Sequence, residues 1–337
     1  MTVIESIMHK SLSEDHPELF HYTTSAGISG IIQSQTLWAT HYAYLNDAEE
    51  FKHFLVSRLP NILRAIFAAH LTESHLFVDQ EGGVENVERA VNEVATAMKN
   101  TLLSNREGKE PLAEPYITSF CTTNDEYVKN HGLLSQWRGY GPDGGYAIVF
   151  DTAGLCQLLD EAGKKWENGG DLFGGSVMYS SDSDQKILEE FRESESVITS
   201  FFSSFLESDR YPNDLEKIYP ALTQCACRYK HRGFSEEKEV RVVAIPNNKE
   251  VCEYARAVGM IVNEMPRGHF MRSGALVPII DVLKGVTFIP TKCLPIKRII
   301  VGPHPNKEKR RRAVEMLLDQ YGIKKADVLV SDIPYLG

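Results

Sequence analysis

The sequence predicts a mixed α+β fold, built as a single elaborated domain over 1–337 with helical insertions at about 48–105 and 183–229. Three observations predict it. Short apolar runs of strand character recur from Leu19 to Val330, widely spaced along the chain. Longer segments between them carry apolar residues at the 3.6-residue period of a helix. The C-terminal part reads strand, helix, strand, which is a βαβ unit.

Leu19 to Thr23 reads as a short strand, and Ser25 opens a helix through Ile28, Ile31 and Ile32 with its hydroxyl as N-cap. Asn46-Asp47 caps a helix whose apolar face carries Phe51, Phe54, Leu55, Leu59, Ile62, Leu63 and Ile66. Val84, Val87, Val91, Val94, Met98 and Leu102 repeat that spacing, with Gly82-Gly83 as the break between the two helices. Tyr116 to Cys121 and Tyr146 to Phe150 are strands, the second entered through a Gly141-Pro142-Asp143-Gly144-Gly145 turn. Gln185 to Leu206 and Asp214 to Tyr229 are helical, and Val240 to Ile245 is a strand ended by Pro246. Arg298 to Val301, Asn306 to Tyr321 and Asp327 to Val330 form the closing βαβ unit.

Composition bounds the function. An apolar fraction of 42% with 24% charged residues is that of an ordinary globular chain. A net charge of −10 argues against generic binding to nucleic-acid backbones or anionic membranes, though it leaves room for a local phosphate pocket. The six cysteines lack the spacing of a zinc knuckle or a redox pair and read as buried thiols of a reducing compartment. Met1 to Phe20 carries charges throughout, unlike a signal peptide, and no apolar run reaches the ~18 residues of a membrane span. The expected location is cytoplasmic. The eleven histidines show no ligand spacing, so no metal site is expected.

Three constellations carry chemistry. Glu237 and Glu239, with Arg241, alternate along a strand and would share a face, where two carboxylates can orient a sugar hydroxyl and stabilise positive charge at a sugar carbon. The competing reading is a solvated strand terminus with Glu239 paired to Arg241. His21-Tyr22-Thr23 offers an imidazole for ribose hydroxyls and an aromatic for a base, or else a satisfied core histidine. Ser135 to Gly141 presents Trp137, Arg138 and Tyr140 as a turn with stacking surfaces and a phosphate fork, or alternatively Trp137 in the core and Arg138 at a helix end. Lys307, Lys309, Arg310, Arg311 and Arg312 form a basic run, read as a solvated helix face or a partner surface. Cys121 with a distant histidine has no local support as a thiol nucleophile.

Taken together, these words resemble a bacterial family of domains of unknown function: His21-Tyr22-Thr23, Leu37-Trp38-Ala39-Thr40, Tyr44-Leu45-Asn46-Asp47 with Glu50, Ser119-Phe120, Ser135 to Gly141, Phe234 to Arg241, and Ile300-Val301-Gly302-Pro303. The likeness runs from about 20 to 335. That pattern in turn is similar to the ADP-ribosyltransferase superfamily, which implies a split-sheet core and NAD as substrate. The resemblance assigns His21, Tyr22, Thr23, Ser119, Trp137, Arg138 and Tyr140 to NAD binding, with Arg138 at the pyrophosphate. It assigns Glu239 the catalytic role and Glu237 the accessory one. The chain departs from the superfamily in its helical insertions and in having only Thr118-Ser119-Phe120 where a serine-threonine-serine strand is usual. The expected partner is a small-molecule nucleotide, with the ADP-ribose acceptor unknown: protein, nucleic acid or water. The alternatives are an NAD glycohydrolase and a non-catalytic nucleotide sensor. A toxin or phage-defence role is implied by the resemblance only.

Overall fold

A computed structural model describes residues 12–46, 48–73, 80–103, 114–141, 143–179, 198–200, 202–204, 215–272, 274–286 and 293–334. Asp47, Pro142 and most of the helix expected over Gln185 to Leu206 lie outside them. The chain runs β1 (Glu18–Thr23), α1 (Ser25–Ser34), β2 (Trp38–His41), α2 (Ala48–His53), a π-helical turn, α3 (Leu59–Glu73), α4 (Gln80–Leu102), β3 (Tyr116–Cys121), α5 (Glu126–His131), α6 (Leu134–Tyr140) and β4 (Tyr146–Asp151). It continues through α7 (Thr152–Lys165), β5 (Gly170–Ser176), β6 (Met178–Tyr179), α8 (Leu215–Arg228), β7 (Tyr229–Lys230), a 3-10 turn (Arg232–Glu237), and β8 (Glu239–Pro246). The last elements are α9 (Lys249–Ala257), β9 (Arg267–Arg272), β10 (Ala275–Asp281), β11 (Ile296–Val301), α10 (Lys307–Gln320) and β12 (Asp327–Val330). The fold is mixed α+β. Among the described residues no helix is long and apolar enough to cross a membrane.

Local chemistry explains several boundaries. Thr24, not Ser25, caps α1, its side chain accepting from the Gly27 N–H. Gly82-Gly83 does not break a helix: both lie in the first turn of α4, where a glycine interrupts few backbone bonds. Ser135 to Tyr140 is helix rather than turn, since Leu133 starts α6 and the chain leaves it only at Gly141. The closing unit is a true βαβ, β11 and β12 pairing in parallel across α10.

The main sheet runs β12-β11-β4-β1-β3-β2-β10-β9, with β8 and β5 branching from β3. Strand β3 explains the branch. Along one edge it pairs with β8 from Tyr116↔Ala244 to Cys121↔Glu239. Its other edge is divided: β2 holds one end through Thr40↔Ile117 and His41↔Tyr116, and β1 meets the other at Phe20↔Cys121. Between those contacts the sheet forks. The backbone groups exposed by the fork find side chains instead, His21 Nδ1 donating to the Ser119 carbonyl at 3.0 Å and Thr118 Oγ1 to the Trp38 carbonyl at 2.9 Å.

Alternation along the strands divides the core. One face of the sheet packs Leu19, Ile148, Phe150, Val240, Val242 and Ile299 against α1, α7 and α10. On the other face α3, α4 and α8 cover Ile117, Val243 and Ile245, while a smaller cluster of Phe20, Tyr22, Trp137, Ala147, Val149 and Ile300 covers β1, β4 and β11. The fork lies where these two clusters separate, and among the described residues a cleft opens there.

Candidate functional site

A cleft of about 220 Å³ occupies the fork. Its walls include His21, Tyr22 and Thr23 of β1, Ser119 and Cys121 of β3, Tyr140 of α6, and Glu237 and Glu239 beside β8. Seven of the nine residues expected at the site thus come together from four distant stretches.

The acidic wall is the most elaborate part. Glu239 opens β8 and is only 3% exposed. Its Oε1 accepts from Arg241 Nε at 2.8 Å, and its Oε2 accepts from Lys230 Nζ at 2.7 Å and Arg241 Nη2 at 3.3 Å. Lys230 also donates to Glu237 Oε2 at 2.8 Å, and Arg241 Nη1 to the Cys227 carbonyl at 2.8 Å. Burial pushes the Glu239 carboxyl up, but the Arg241 and Lys230 charges and their hydrogen bonds outweigh it and hold the group at about 2. The pairing of Glu239 with Arg241 is therefore real, while the solvated terminus expected with it is not.

Glu237 reaches the same place by a different route from that expected. It ends the 3-10 turn instead of lying on the strand, and Lys238 between the two acids is left-handed at φ 43°. That costs a non-glycine residue about 1 kcal/mol. The Thr122 N–H and Oγ1 both donate to the Lys238 carbonyl, at 3.1 and 3.0 Å, and pin the kink. The reversal lets the acids on either side of Lys238 share one ammonium.

On the opposite wall the His21 ring donates from Nδ1 to a carbonyl, which can only accept, so a neutral imidazole keeps Nε2 as an acceptor. Burial lowers its basicity, with the Ser119 bond opposing, which favours that neutral form. Tyr140 is pushed up to about 12 by burial first and Glu237 second. The Cys121 thiol is raised well above its ordinary value by burial and then by the two glutamates. It is protonated at neutral pH and is no nucleophile.

Two expected residues do not line the cleft. Trp137 is a core side chain: its Nε1 donates to the His131 carbonyl at 3.0 Å and its ring meets the Tyr22 ring edge-on at 4.8 Å. Its indole lies against Gly132, at φ 77°, and Gly302, where any Cβ would strike the ring; at Gly302 the Gly144 carbonyl also blocks one. Trp137 thereby supports Tyr22, whose hydroxyl accepts from the Leu133 N–H at 2.8 Å. Arg138, one position on, is exposed on the outer side of α6.

Residues given no site role from the sequence take their place. Arg272 and Phe270 of β9, which the sequence reading passed over, and Trp38 and Thr40 of β2, quoted there only within a family word, line the cleft mouth, and register puts all four on one face of the sheet. Trp38 is 41% exposed, with its ring 5.9 Å from that of Phe270. The Arg272 guanidinium donates to the Tyr44 carbonyl. Nothing in the spacing of Phe270 and Arg272 marked them, because β9 meets the cleft only through β10 and β2. The basic run on α10 is largely absorbed by the fold: Arg310 bonds Tyr146, Asp143 and Ser25, Lys307 the Ser331 carbonyl, and Arg311 and Arg312 pair with Glu315. Among the described residues no group of three His, Cys, Asp or Glu side chains is placed to hold a metal ion.

Residues 136–242 match the family model described as protein of unknown function (DUF2971). The matched stretch supports a domain of unknown function and carries Tyr140, Lys230, Glu237 and Glu239 of the cleft, with Arg241 bonded to Glu239. No curated protein and no solved structure matches the chain.

Proposed function

We propose that the cleft binds the nicotinamide-ribose end of NAD and that the protein cleaves the bond between them, as an ADP-ribosyltransferase-like enzyme. One observation carries the reading: the fork in the sheet collects a neutral histidine acceptor, an aromatic ring and two carboxylates in one cavity of about 220 Å³. A whole dinucleotide needs a site of roughly 300–1,000 Å³, so only one end is enclosed and the remainder follows the open wall toward β9. In this reading His21 Nε2 accepts a ribose hydroxyl and Tyr140 flanks the ring. The nicotinamide leaves with the bonding electron pair, and the oxocarbenium-like sugar is stabilised by Glu239 and Glu237. Oxygen from water or another acceptor completes the sugar, and its proton passes to a carboxylate or to solvent. Arg272, with Trp38 and Phe270 beside it, takes the phosphate role first given to Arg138.

A second reading has a specific observation in its favour. Glu239 accepts three bonds from two cations, the arrangement of a structural ion cluster, which suits a nucleotide sensor without turnover. Incubating the protein with NAD and measuring released nicotinamide by chromatography separates the two. The enzyme reading expects release that Glu239→Gln and Glu237→Gln both suppress. NAD binding with no release, unaffected by Glu239→Gln, would hand the cleft to the sensor reading.

A further inference from the structure

We propose that Lys230 is a positioning residue, whose ammonium holds Glu237 and Glu239 side by side as a paired acidic wall of the cleft. The inference rests on the proposed reaction for its meaning and on geometry for its support. The side chain of Lys230 is 4% exposed, and its Nζ lies 2.8 Å from Glu237 and 2.7 Å from Glu239. Lysine is almost never so buried unless paired, because desolvating the ammonium costs several kcal/mol.

The chain makes a dedicated element to put it there. Strand β7 is only Tyr229–Lys230, pairing in parallel with β6 through Met178↔Tyr229 and Tyr179↔Lys230. The fully buried Tyr229 anchors it, and the Phe234 ring lies 4.5 Å from the ammonium as a further wall. A purely structural plug at this position could be apolar, since the wall would pack as well. An ammonium at this position answers the two carboxylates that converge on it.

Arg241 cannot replace it. The guanidinium is committed to Glu239, through Nε and Nη2, and to the Cys227 carbonyl, through Nη1. Among the described residues, the other titratable groups around the pair are Cys121 of β3, Tyr140 of α6 and Tyr179 of β6, each raised by burial and neutral at pH 7. Without Lys230 two carboxylates would therefore face one cation, and one would take up a proton or swing away. In either event the two carboxylates would no longer stand ionised side by side, and the wall would lose the paired geometry it presents to the cleft.

The test uses the full chain as Lys230→Met and Lys230→Arg, with nicotinamide release measured from about pH 4 to pH 9 and thermal melting followed from about pH 2 to pH 9. The expected result for Lys230→Met is a kcat lower by about 10²-fold, the scale of a misplaced catalytic group, with KM changed much less. Its activity on the acid side should also fail at higher pH than wild type, and Lys230→Arg should recover most of both. The melting penalty of Lys230→Met should be large at neutral pH and shrink as pH falls from about 4.5 toward 2 and Glu239 protonates. Should Lys230→Met fail to fold, Lys230→Met with Glu237→Gln removes the unpaired charge and should restore folding.

Unchanged kcat and acid limb in Lys230→Met, or a melting penalty independent of pH, would overturn the inference and leave Lys230 as packing. If the wild type releases no nicotinamide but the pH-dependent penalty is found, the clamp stands and the proposed reaction falls.

Discussion

Replacing Glu239 with glutamine tests the acidic wall most directly, because its size can be worked out beforehand in two ways. Glutamine keeps the shape and can still accept from Arg241 through its carbonyl. Its NH₂ then faces the Lys230 ammonium and the second Arg241 nitrogen, donor against donor, so two charge-assisted bonds become repulsive contacts. Breaking one side of a buried ion cluster costs about 3–5 kcal/mol. The titration gives a second figure: a carboxyl held at about 2 in place of 4.5 contributes roughly 3 kcal/mol, at about 1.4 kcal/mol per decade. The sign follows from the lowered value. That stability is fully present above pH 4.5 and is lost as pH falls from there through about 2. Urea unfolding at pH 7 should therefore show Glu239→Gln less stable by about 3 kcal/mol, with the gap closing toward pH 2. Equal stability at pH 7, or a gap that does not close in acid, would refute the picture of an ionised carboxylate saturated by two cations.

Trp137→Ala should destabilise the fold by about 3–5 kcal/mol in a thermal melt, since it empties the space between Gly132, Gly302 and Tyr22. Arg272→Ala should weaken binding of ADP-ribose by about 10-fold or more in calorimetry while leaving nicotinamide riboside unchanged, and Arg138→Ala should affect neither. Ligand affinity should be constant above pH 6.5 and fall only at more acid pH, as His21, whose value is lowered by burial, gains a proton on Nε2; a loss on raising the pH would count against it. Glu18 is held at about 2 chiefly by its hydrogen bond to Arg298, with Lys297 helping, and ties β1 to β11. Because the site is partly open to solvent, Glu18→Gln should cost only about 1 kcal/mol, an effect present above pH 4.5 and lost below it as the carboxyl protonates.

Where an element's own residues specify it, the sequence read true. The short apolar runs of Tyr116 to Cys121 and Val240 to Ile245 marked strands, and the second is buried along its whole length. The helical period of Phe51 to Ile66 and Val87 to Leu102 marked the helices that fill one core cluster. Helix α7 and the β9–β10 hairpin escaped notice. β10 includes Pro278 and β9 carries Arg267, His269 and Arg272 among few apolar residues, so neither shows a clean period.

The site divides along the same line. Side-chain type and order in the chain were enough to nominate His21, Tyr140, Glu237 and Glu239, because each motif is local and chemically unusual, while Ser119 entered only through the family resemblance. Which of them meet, and in what charge state, was decided by the tertiary structure. A strand shared between two partners on one edge opened the cleft, a left-handed lysine turned Glu237 back toward Glu239, and a buried ammonium nine residues upstream of Glu239 joined the pair. Those relations are distances between separated segments, and a linear sequence encodes them only through the packing that brings the segments together.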